Sequence, residues 1–139
     1  MKSWIAALLS ALIVLPPLAA WAQEGRIAVD LNKLEQVDAA CRAYLVFKNG
    51  TGRTFSELKL DLVMFDQKGI VARRLLLDVA PLRVNKMTLK WADIKDLKCA
   101  GIGRVLLNDV MGCIDEKGAH DDCVDLIDPS AKTQAPFVK

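Results

Sequence analysis

Histidine, tyrosine and long apolar runs are scarce in this chain, and each scarcity narrows what it can be. His120 is the only histidine in 139 residues. A Ser-His-Asp or Cys-His arrangement would therefore have to run through it, and no G-x-S-x-G nucleophile signature accompanies it. Gly101-x-Gly103 lacks the third glycine and the following helix of a dinucleotide fingerprint, so it reads as a loop or bulge. Aromatic residues number eight (three Trp, one Tyr, four Phe). They form no stripe interleaved with basic residues, so a nucleic-acid groove is not supported. There is no C-x-x-C, and no D-x-[DN]-x-[DN]-G calcium register.

The one long apolar run lies at the N-terminus. Lys2 supplies a positive start, Trp4 to Leu15 is apolar, Pro16-Pro17 breaks any helix, and Ala20-Trp21-Ala22 is a small-x-small cleavage site. This predicts a signal peptide over 1–22, cut after Ala22, of the Sec type because no twin arginine is present. No Cys lies near the cut, so a lipoprotein is not expected, and no second apolar span follows. Location in the periplasm is the expectation, with no membrane span once the leader is removed. Lys2 is the only charge lost, which leaves 18 basic against 17 acidic side chains. That near balance gives no electrostatic case for nucleic acid or an anionic membrane.

Four cysteines, Cys41, Cys99, Cys113 and Cys123, remain in the mature part. Export and an even count favour two structural disulfides over metal or redox chemistry. Three pairings are possible. Cys41–Cys99 with Cys113–Cys123 is preferred, because the second closes a short acidic loop and the first ties an early strand to a late one.

The strand pattern is set by a hairpin. Leu58, Leu60, Leu62 and Met64 alternate with Lys59, Asp61 and Val63, the period of a strand with one face buried. Asp66-Gln67-Lys68-Gly69 reads as a type I turn, and Ile70 to Val79 returns from it. Arg26–Leu31, Cys41–Lys48, the run around Met87-Leu89-Trp91, and Ile102–Val110 are further strands. Asn32–Ala39 reads as a loop or single helical turn, and Ala92–Leu97 as another turn. Residues 129–139 have almost nothing to bury and are expected to be a disordered tail. Six or seven short strands without a helical pattern predict an all-β, immunoglobulin-like antiparallel β-sandwich over 23–128.

Leu62-Val63-Met64-Phe65-Asp66, the turn to Gly69, the loop Pro81–Lys86 and the strand to Trp91 resemble the FxLYD-type immunoglobulin-like domains of exported bacterial proteins. Together with the Cys41 strand and Gly101–Val110, they are also similar to small alphaproteobacterial periplasmic proteins often labelled as Tat-signal proteins. The resemblance implies a sandwich and an envelope location. It supplies no catalytic residues.

Candidate chemistry centres on the acidic loop. Asp115, Glu116, His120, Asp121, Asp122 and Asp125 gather in and beside the Cys113–Cys123 loop as candidate ligands for a hard cation. A hydrolase or ligand site built on His120 is the companion reading, although a solvated loop histidine accounts for the residue more simply. Met64, Met87 and Met111 are candidate copper ligands, but two of them sit in the apolar phase of their strands and read as core. Asn49-Gly50-Thr51 is a glycosylation sequon that a turn explains by itself. No cofactor is implied. The expected function is a non-enzymatic module that binds an envelope protein, with strand addition at an exposed sheet edge as the available mode.

Overall fold

The structure, a computed structural model, describes residues 25–139, so the leader assigned to 1–22 lies outside the described residues. Six long strands carry the fold: β1 (Ile27–Val37), β2 (Ala40–Asn49), β3 (Phe55–Phe65), β4 (Val71–Asp78), β5 (Met87–Ile94) and β6 (Arg104–Asp115). Three short ones complete it: β7 (Gly118–Ala119), β8 (Ile127–Ala131) and β9 (Phe137–Val138). One sheet runs β5-β2-β1-β8; the other runs β4-β3-β6-β7, with β9 also on β6. The chain crosses between sheets after β2, β4, β5, β7 and β8. This is the β-sandwich the alternating pattern predicts, with two short parallel pairings added, β1 with β8 and β6 with β9.

The inward phase of each long strand makes one core. Phe47, Phe55, Leu45, Leu58, Leu60 and Leu107 are fully buried, and each such side chain contributes about 1.5–3 kcal/mol of hydrophobic stabilisation relative to exposure. The hairpin closes as expected. The Asp66 carboxylate accepts from the Lys68 and Ile70 amides at 2.8 and 2.9 Å, and Gly69 takes φ +79°. Gly103 is held by contact rather than by its dihedrals: a Cβ there would stand 2.4 Å from the Asp66 carbonyl oxygen.

Three expectations are corrected. Asn32–Val37 is strand, not loop, because the register of β1 on β2 shifts between Leu31 and Lys33. The shift sends Leu34 inward and puts Lys33 and Glu35 on the outer face, so a polar stretch still satisfies a strand. Strand β5 runs to Ile94, through part of the expected turn at Ala92–Leu97. The tail is the largest miss. Residues 127–131 pair with β1, the Val105 amide donates to Pro136, and Ala135 and Phe137 are buried. A ladder along existing strands satisfies the backbone, and a single aromatic ring fills the core end. A composition argument weighs neither.

Asn49 is buried, its Nδ2 donating to the Arg53 and Leu82 carbonyls at 2.7 and 3.1 Å. Its Oδ1 accepts from the Thr51 amide and hydroxyl. The sequon is therefore the pin of the β2–β3 connection, and its amide is committed inside the fold.

Candidate functional site

Both disulfides close as preferred. Cys41–Cys99 spans a Cα separation of 5.0 Å and Cys113–Cys123 one of 6.4 Å, inside the range a bridge needs. The second bridge ties the C-terminal part of β6 to the single turn α1 (Cys123–Leu126). Closed bridges of this kind belong to an oxidising, exported compartment. Among the described residues, no helix is long and apolar enough to cross a membrane.

The acidic loop is organised around Asp115, whose carboxylate is fully buried. It receives Arg53 Nη1 at 2.7 Å and the Lys117 amide at 2.8 Å, and His120 Nε2 lies 2.8 Å from it. The His120 contact, set against the cost of burial and aided by the Lys117 amide, holds the Asp115 carboxyl down at about 2. His120 is thus half-buried against an acid, rather than the solvated loop residue that sequence suggests. Its partner is Asp115, with neither Asp121 nor Asp122 within ion-pair distance. Glu116 faces elsewhere and accepts from the Thr54 amide at 2.8 Å. Asp121, Asp122 and Asp125 are exposed.

Among the described residues, no three His, Cys, Asp or Glu side chains are gathered so as to hold a metal. Asp115 and His120 meet, but the carboxylate is already used by Arg53 and a backbone amide. Three surface hollows lie at residues 32–34 with 99–102 and 132–135, at 36–39 with 96–100, and at 65–69 with 103–104. None of these three is lined by a residue of 113–125. Arg73 and Arg74 point to opposite sides, as neighbours in a strand must. Arg74 clamps the buried Asp61 at 2.7 and 2.9 Å, and Arg73 caps the Asp96 carbonyl at 3.0 Å.

The surface that stands out is one the sequence analysis did not single out. In β5 the apolar phase faces solvent: Met87, Leu89 and Trp91 are 67%, 57% and 54% exposed. Met87 is accordingly not the core residue its strand phase suggests. The alternation is real but its direction is inverted, because Ile94 of the opposite phase is in the core while Thr88 and Lys90 turn inward with it. Across the ladder, Trp91 stands opposite Tyr44, Leu89 opposite Val46, and Met87 opposite Lys48. The result is an apolar centre on the outer face of this sheet. Ion pairs border it, with Arg42 on Asp93 at 2.6 Å and Lys33 on Glu35 at 2.8 Å. Tyr44 donates its hydroxyl to Glu35 at 2.6 Å. The sequence points the other way, since alternation sends the polar Thr88 and Lys90 outward while the structure turns them inward.

No family model and no curated protein matches the chain. A solved structure described as the structural characterization of IrmA from Escherichia coli is similar, with a TM-score of 0.55 at 11% identity, over 75% of this chain and 90% of that one. At that identity the likeness speaks to the fold alone.

Proposed function

We propose that this protein is a non-enzymatic periplasmic interaction module, exported by its N-terminal signal, that binds an envelope protein through the outer face of the β5-β2-β1-β8 sheet. One observation carries the reading: the exposed row Met87, Leu89 and Trp91 over Val46 and Tyr44. Aromatic residues, Met and Arg at an apolar centre with a charged rim are the composition of protein contact surfaces. Contiguous apolar surface of this kind on a soluble domain marks such sites.

The face is favoured over the sheet edges. Both edge strands on that side of the sandwich carry an inward-phase cation, Lys90 opposite Leu45 in β5 and Arg73 opposite Met64 in β4. Inward charges on edges guard against strand addition, since pairing would seal the charge away from water. Lys90 reaches the Ala80 carbonyl only at 3.4 Å. Docking on the face leaves it as it is.

Crosslinking in the protein's own envelope, followed by mass spectrometry, tests the reading. A recurrent partner joined through residues 42–48 or 87–91 is expected. A protein that stays monomeric and uncrosslinked there contradicts it.

A further inference from the structure

Charge on the docking face is distributed in a way that specifies what it meets. Its carboxylates are all occupied from within the chain. Asp93 is held by Arg42, Glu35 by Lys33, Asp30 by Lys132 at 2.8 Å, and Asp128 by Arg26 with an Nε contact of 2.6 Å. The cations at the Met87 end are different. Lys48 stands directly opposite Met87 and is exposed, and Lys86 and Arg83 sit in the connection that enters β5. Among the described residues, none of these three is within ion-pair distance of a carboxylate. The face therefore has neutralised flanks and an apolar centre, with unopposed cations at its Met87 end: Lys48 on the face itself and Lys86 in the connection beside it.

Resting on the docking role proposed above, we infer that the partner presents an apolar polypeptide segment with carboxylates clustered at one end, its apolar residues over Trp91 and Leu89 and its acids at Lys48 and Lys86. An anionic bilayer shares the negative charge but fits the face poorly. Laying this sheet on lipid would strip water from the Arg42–Asp93 and Lys33–Glu35 pairs, a cost that a protein rim avoids by remaining wet. Opposed potentials at the rim mainly set the encounter rate and choice of partner, with the apolar centre supplying the affinity.

The test is calorimetric titration of the oxidised protein, purified from an export host. The first probe is a short peptide with alternate apolar residues and glutamates at one end. The controls are its lysine counterpart and phosphatidylglycerol vesicles. The glutamate peptide is expected to bind, and binding is expected to weaken with salt. Lys48→Glu with Lys86→Glu, both at exposed positions, should weaken it roughly tenfold, the order set by two exposed ion pairs. Leu89→Lys should abolish it. Equal binding of the two peptides overturns the inference, as does vesicle binding alone or no response to the glutamate peptide at millimolar concentration. If Leu89→Lys removes the envelope crosslinks while the charge reversals leave them intact, the face still docks a partner and only the acidic character of that partner is wrong. If Leu89→Lys leaves the crosslinks intact, the docking role itself fails.

Discussion

The guanidinium of Arg42 lies over the indole of Trp91, 4.3 Å from the ring centroid, and the same group clamps Asp93 through Nε and Nη2 at 2.6 and 2.9 Å. The clamp holds Arg42 flat, so the stack keeps the indole from rotating and presents one ring face outward. Among the described residues Trp91 is the only tryptophan, the other two being Trp4 and Trp21. Arg42→Lys keeps the charge but loses the planar stack and the two-bond clamp. Its fluorescence is expected to report a more mobile, more solvated Trp91, like that of Arg42→Ala, while thermal stability falls only slightly. Emission unchanged in both variants would show that the stack does not organise the indole.

The two bridges should differ in weight. Cys41–Cys99 closes a separation of 58 residues and Cys113–Cys123 one of 10. In the chain-entropy account, these restrict the unfolded state by roughly 4 and roughly 3 kcal/mol respectively. Cys41→Ala with Cys99→Ala is expected to lower the denaturant midpoint more than Cys113→Ala with Cys123→Ala. The reverse order would mean that the acidic loop, not the long cross-chain tie, limits stability.

The C-terminal segment is structural. Phe137 is 4% exposed, and Phe137→Ala should cost about 3–5 kcal/mol, the range for emptying a buried aromatic site. Urea unfolding measures it. A cost near zero would restore the view of residues 129–139 as a loose tail.

Asp115 predicts an acid limb. Its carboxyl is lowered from 3.8 to about 2, with the His120 contact as the leading cause. A depressed folded value means that the charged form stabilises the native state. That contribution is complete above the unfolded value and drains away as pH falls from about 4 through about 2. Asp115→Asn is therefore expected to be less stable at neutral pH and to lose stability less steeply across that window. An identical slope in both proteins would show that the buried acid is not a source of the acid sensitivity.

The sandwich was legible because its long strands alternate and their turns are chemically explicit, as at Asp66–Gly69. The cysteine pairing was legible from compartment and strand phase. What escaped was whatever depends on a second strand. The register shift at Leu31/Lys33 turns Asn32–Val37 into a ladder, and no local residue announces it. The orientation of Met87, Leu89 and Trp91 is fixed by Ile94 and by the neighbouring Leu45, so the row read as one more strand instead of a surface. His120 finds its acid at Asp115 across the β6–β7 hairpin, while the adjacent Asp121 and Asp122 point to solvent. Two of these misses concern which way a recognised segment faces, at β5 and at His120, and the others, Asn32–Val37 and the C-terminal segment, concern pairing that only a neighbouring strand supplies.

The most direct measurement of the docking claim compares two exposed leucines on opposite sheets, Leu89 of β5 at 57% and Leu76 of β4 at 56% exposure. Leu89→Lys and Leu76→Lys are matched in chemistry and exposure, so both proteins should fold. Crosslinked complex is quantified in the envelope for each. Loss of the complex in Leu89→Lys, with wild-type yield in Leu76→Lys, is the predicted result. Full yield in Leu89→Lys would contradict the account.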